Sequence, residues 1–316
     1  MNTPCFKSRL AERMLRFLQF KRMQGYDYVE GCMNLARFDA FMANRPCPAP
    51  VLRREDLDAY CADLRDISVG TQAKLLSTVR QFSRYLRAFE NESALLAERI
   101  LPRRPSRIRF YPLSAEQVGG LMAATPTLRP QGGILPACVC FLIGLLYSTG
   151  LRLGEALALN IGDIDMKAAT LFVRDGKLRK QRLVIMSDST LEALDSWLKF
   201  RSAHAGSRAN DPLLVGRRNQ RLEPRQAQRA FTRLCAQCGL DGSPPARLHD
   251  LRHNYACGCF RRWREQDEDI DALLPVLANA MGHVDFRSTQ HYMHIDADAL
   301  QRAGAKLHAH INSTKG

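Results

Sequence analysis

In the stretch LHDLRHNYA, residues 248–256, His249 and Arg252 stand three positions apart. On a helix that spacing puts them at neighbouring positions of one face, while Leu248, Leu251, Tyr255 and Cys259 line another. A guanidinium is a planar fork of donors that fits two oxygens of a phosphate, and an imidazole with a pKa of about 6.5 trades protons near neutrality. Together they suit phosphoryl chemistry. A second arginine, Arg152, follows the turn YSTG, with Glu155 three residues further on. Buried helices on either side would fix the stem of Arg152 and Glu155 could orient its head, although the two residues alone read equally as a structural ion pair. Further on, MGHVDFRSTQHYMHID places His283 after a glycine that would end the preceding helix, and Tyr292 nine residues later. Taken singly, the His–Arg pair is surface decoration and the tyrosine a core or rim residue.

The elements that must position these groups follow from periodicity. The segments LAERMLRFLQFKRMQG, YVEGCMNLARFDAFMA, EDLDAYCADLRD and TQAKLLSTVRQFSRYLRAF repeat apolar residues near i, i+3, i+4 and i+7, so the first hundred residues form helices, interrupted by the breaker NRPCPAP. Residues 101–113, LPRRPSRIRFYPL, hold three prolines and four arginines and read as an extended basic connector. The expected organisation is a helical domain at 1–105, a basic linker at 106–113 and a second domain at 114–316. Ser114 and Gln117 form a capping box that opens the second domain. A buried helix runs to about Ser148 and is broken at Gly150; the strands TLFVR and RLVIM flank the turn DGKLRKQ, and helices follow to the end. The fold class is mainly α (α+β), with a small antiparallel sheet in the second domain.

Composition narrows the partner. Lys and Arg number 46 against 32 Asp and Glu, a formal net charge of +14. That surplus points to a polyanion, of which nucleic acid is the commonest, although a charged surface serving solubility alone would show the same excess. No apolar run reaches the length of a membrane span; the longest, CVCFLIGLLY at 138–147, suits a buried helix. The N-terminus lacks the pattern of a secretory signal, so a cytoplasmic location is expected, with the ten cysteines as thiols. Cys235 and Cys238 make a CxxC, and Cys257 and Cys259 a CxC. No knuckle glycine stands between the first pair and small thiols are common in cores, so no metal is expected.

In order and spacing, the second domain resembles the tyrosine recombinase (phage integrase) family. STGLRLGEAL looks like its first arginine box, HDLRHNYA its HxxR box and MGHVDFRSTQHYMH its final box; DGKLRKQRLVIM is similar to its GKGxKxR hairpin turn. The resemblance implies phosphate-binding arginines at Arg152 and Arg252, histidines at His249 and His283, and a nucleophile at Tyr292. It puts a general-acid lysine at Lys177, with Lys180 as rival, and implies a core-binding DNA domain in the N-terminal half. The implied activity is cleavage and rejoining of double-stranded DNA through a 3′-phosphotyrosine, needing neither metal, cofactor nor ATP. The implied assembly is a homotetramer on paired DNA sites, with no membrane and no small-molecule substrate; Leu300, Ala303 and Leu307 recur at helical spacing, and this terminal helix either exchanges between protomers or packs in cis. Alternatives are a type IB topoisomerase-like nicking-closing enzyme and a catalytically silent DNA-binding regulator; Tyr255 is the next candidate nucleophile. The acidic stretch near 265–271 has no role on this reading.

Overall fold

The structure, a computed structural model, describes residues 5–45, 50–89, 92–97, 111–174 and 181–282. Lys177, Lys180, His283, Tyr292, the terminal stripe and most of the predicted linker lie outside the described residues. The chain divides into two compact units, Met1–Ile108 and Arg109–Gly316.

The first unit holds α1 (Ala11–Met23), α2 (Val29–Ala43), α3 (Arg54–Asp63) and α4 (Val69–Phe89). Their apolar stripes meet in one core that includes Met14, Phe17, Leu35, Phe38, Tyr60, Leu76, Val79 and Phe82. Its buried carboxylates are satisfied: Asp39 accepts from the Lys7 and Ser8 amides at 2.7 and 2.9 Å, and Asp56 takes Arg9, Arg45 and the Arg53 amide. Each carboxylate ties a chain entry to a helix, because a buried acid without donors would be costly.

The second unit is built around α6 (Ile134–Thr149), against which α5 (Ala115–Ala123), α8 (Asp188–Ala205) and α10 (Leu248–Glu265) pack. Helix α6 is apolar almost all round, as a central helix must be, and Cys138, Leu142 and Ile143 are fully buried. Burial of each large side chain contributes about 1.5–3 kcal/mol. Near the start of the unit, Ser114 and Gln117 form the expected reciprocal cap of α5. At the end of α6, Gly150 takes the left-handed conformation (φ +64°) that stops the helix, and α7 (Leu153–Ala158) begins with Arg152 at its N-cap.

Strands β2 (Thr170–Val173) and β3 (Arg182–Ile185) pair antiparallel as expected. A two-residue strand, β1 (Ile164–Asp165), adds to β2 and gives the order β1-β2-β3; two residues carry too little alternation to be read from sequence. Leu171, Val173 and Val184 face the core. Helix α9 (Pro224–Gln237) precedes α10, and α11 (Ile270–Met281) packs on α10 through Phe260, Leu274, Leu277 and Met281. The acidic stretch acquires a role here: the Asp269 carboxylate accepts from the Asp271 and Ala272 amides and caps α11.

Candidate active site

The end of α11 is where the site forms. Gly282, left-handed at φ +66°, terminates that helix, and the last carbonyls of a helix have no partner within it. Three arginines from distant parts of the chain take three successive ones. Arg182 Nε donates to Ala280 O at 2.8 Å, Arg252 Nη2 to Met281 O at 2.7 Å and Arg152 Nη2 to Gly282 O at 2.6 Å. Arg252 also donates from Nη1 to Gly150 O, so its guanidinium bridges the glycine caps that end α6 and α11. These two carbonyls fix the plane of the group without cancelling its charge.

A buried carboxylate links the other two arginines. Glu155 accepts from the Arg152 amide at 2.9 Å and from Arg152 Nη1 at 2.7 Å, and Arg182 closes on both of its oxygens at 3.1 and 2.7 Å. Burial alone would raise the Glu155 carboxyl; hydrogen bonds from Arg182 and the Arg152 backbone, with the positive charge beside it, outweigh this and hold its pKa below the ordinary value.

His249 keeps its ring at the solvent edge of α10. Desolvation by the surrounding chain, then the charges of Arg252, Arg247 and Arg152, lower its pKa despite Asp250. His249 thus lies within electrostatic reach of both Arg152 and Arg252. One turn on, the buried ring of His253 meets that of His249 edge to face at 4.6 Å, and burial with its charged neighbours pushes its pKa down to about 4. Tyr255 packs its ring on Gly150, where an added Cβ would lie 2.3 Å from it. Burial first, then Cys259, drives its phenol up to about 12.

Of the sequence-derived site residues, Arg152, His249 and Arg252 are thus brought together. Of this neighbouring pair on α10, His249 is exposed while Arg252 is only 2% exposed, anchored beneath the glycine cap of α6. The three-residue spacing puts the two on neighbouring positions of α10 but does not tell that the Arg252 side is covered by the chain at Gly150 and Met281. Sequence reasoning missed Arg182 and His253. The signal for Arg182 was present as the final arginine of the hairpin pattern, overlooked beside the two lysines.

The cysteines expected as thiols are all free in the described region. Burial pushes the Cys235 thiol up to about 12. Among the described residues no group of three or more His, Cys, Asp or Glu side chains is placed to hold a metal ion.

Elsewhere on this unit, Arg225, Arg229 and Arg233 recur every fourth residue along α9 and, with Arg129 and Arg218, line a groove of about 670 Å³. A single carboxylate, Glu223, shares it. Such a wall attracts an extended anion.

Against known proteins, residues 112–299 match the phage integrase family. An integrase/recombinase-type protein of Sinorhizobium fredii is 32% identical over 307 residues, covering 95% of this chain and 97% of its own. A tyrosine recombinase XerC of Alcanivorax borkumensis is 31% identical over 272 residues, covering 85% and 83%. In fold, the chain is similar to XerH bound to a palindromic difH substrate (TM-score 0.65, 20% identity, 88% and 80% covered). It is likewise similar to a lambda integrase fragment bound as a dimer to a core site (TM-score 0.64, 16% identity, 90% and 95% covered).

Proposed function

The chain belongs to the phage integrase family of tyrosine recombinases, and on that premise we propose that it is a site-specific recombinase whose residues divide the work of DNA strand exchange as follows. Arg152 and Arg252 bind the non-bridging oxygens of the scissile phosphate, where negative charge grows as the phosphorus becomes five-coordinate. Tyr292 Oη attacks phosphorus, its proton passing to His249; the new P–O bond forms as the bond to the 5′-oxygen breaks. Lys177 protonates that leaving 5′-oxygen, and His283 donates a hydrogen bond to the phosphate. Attack by a different strand's 5′-hydroxyl reverses the sequence and releases the tyrosine, so the bond energy is conserved and no nucleotide is consumed.

The observation that carries this reading is the convergence of two family arginines on the carbonyls of residues 281 and 282, next to His283 in the chain. The lowered pKa of His249 supports its part, since a neutral imidazole is the form that accepts a proton. Residues 1–105 and 114–316 would each bind the duplex, as core-binding and catalytic domains joined by the basic linker, with a homotetramer forming on paired sites. No helix of the described residues is long and apolar enough to cross a membrane, and recombination of chromosomal or mobile DNA would be carried out in the cytoplasm.

The test is covalent capture. Fragmented genomic DNA is incubated with the protein, denatured with SDS, and the protein-linked fragments are sequenced. Wild type is expected to give adducts at a defined sequence; Tyr292→Phe should bind the same DNA within a few-fold and give none. An adduct persisting in that variant, or none from wild type on any DNA, overturns the reading. Relaxation of plasmid lacking paired sites, without recombination of those that have them, would identify a topoisomerase instead.

A further inference from the structure

We propose that Arg182 is a positioning residue for cleavage: by sharing Glu155 with Arg152 it keeps the Arg152 guanidinium both oriented and electrostatically available to the phosphate. The proposal rests on the cleavage reading above.

Its geometry is that of a clamp on a rigid mount. Arg182 opens β3, where its backbone pairs with buried Val173 of β2, and its side chain is 7% exposed. From there it reaches α7 and α11 together, holding both oxygens of Glu155 and the carbonyl of Ala280. Every acceptor direction of Glu155 is then occupied, two by Arg152 and two by Arg182. The carboxylate cannot swing toward either partner.

The charge count matters as much. One carboxylate between two guanidiniums leaves a net +1, and that surplus faces the place where Arg152 would meet phosphate. Were Arg182 absent, Glu155 would neutralise Arg152 alone, and an arginine held in a closed ion pair is a poor anion binder. A purely structural salt bridge would need only one arginine. The fork also explains why the position is arginine, since a lysine cannot hold two oxygens in one plane.

The cleavage site mapped by covalent capture supplies the probe: a short duplex with either a phosphodiester or an uncharged methylphosphonate at the scissile position. Arg182→Met is expected to cut the phosphodiester about 10²-fold more slowly than wild type while binding it within a few-fold, the scale of losing one oxyanion donor. On the methylphosphonate, which develops less charge, the deficit should shrink to about three-fold. Adding Glu155→Gln restores the net +1 and should regain about ten-fold over Arg182→Met on the phosphodiester, whereas loss of a structural bridge would leave the double variant no better.

Equal deficits on the two substrates with no recovery in the double variant would overturn the proposal. Should Arg182→Met fail to fold, Arg182→Lys keeps a charge beside Glu155 but not the fork; about a ten-fold loss is expected on the phosphodiester, and parity with wild type would overturn the proposal. A wild type that forms no adduct refutes the functional reading itself; a cleaving wild type with indifferent Arg182 variants refutes this inference alone.

Discussion

His249 and His253 are one helical turn apart on α10 yet face different tasks. The exposed ring of His249 can meet a substrate; the ring of His253, 5% exposed, is locked behind it. With a folded pKa of about 4 against about 6.5 unfolded, His253 binds fewer protons in the native state across that interval, so the unfolded state gains as pH falls. Its contribution is whole above about 6.5 and declines toward 4, by up to about 3 kcal/mol. Glu155, with a depressed carboxyl, adds acid sensitivity only below the ordinary range near 4.5. Urea midpoints at pH 7 and pH 4.5 check this: the difference should shrink in His253→Gln, with the lowered pKa of His249 supplying part of what remains, and an unchanged difference would assign the acid sensitivity elsewhere. Tyr255, with its phenol near 12 and its ring closed against Gly150, is poorly disposed to act as nucleophile, which favours Tyr292.

Helix ends, more than helix faces, build the site. Gly150 and Gly282 are both left-handed and both release a carbonyl to an arginine, but a side chain at each would meet different neighbours. At Gly150 the new Cβ strikes the Tyr255 ring, a core contact; at Gly282 it comes within 2.7 Å of Arg182 Nη1 and 3.2 Å of Arg152 Nη1. Each alanine carries a backbone strain of about 1–2 kcal/mol. Gly150→Ala should therefore lower the melting temperature more, and Gly282→Ala should lower the cleavage rate more, by about ten-fold or greater. Calorimetry with single-turnover cleavage separates them; a Gly282→Ala enzyme of full activity would show that the arginines need not touch this cap. The stops at 150 and 282, the buried α6 and the β2–β3 pair were legible in the sequence because each is a local signal. The partners of Arg182 and the burial of Arg252 were not, since carbonyls 98 and 29 residues away leave no mark on local periodicity.

Across the whole molecule the charge is unevenly used. Much of the +14 excess is arginine, and three arginines of α9 form one continuous exposed stripe. Phosphates met by that stripe would release counterions, making DNA affinity fall steeply with salt. Arg229→Gln with Arg233→Gln should weaken binding of target and unrelated duplexes alike and flatten the plot of log affinity against log salt by about two units of slope, one for each lost phosphate contact. Titrations from low to physiological salt measure it, and an unchanged slope would remove α9 from the DNA-binding surface. In the same unit, the three arginines at the end of α11 stand 152, 182 and 252 in the chain, while their acceptors are 280 to 282. A ribosome therefore completes every arginine well before it makes the carbonyls that align them, and a nascent chain stopped short of residue 280 has only Glu155 and the Gly150 carbonyl to hold them. A fragment released after residue 252 and before residue 280 therefore carries all three arginines without the α11 carbonyls that align them.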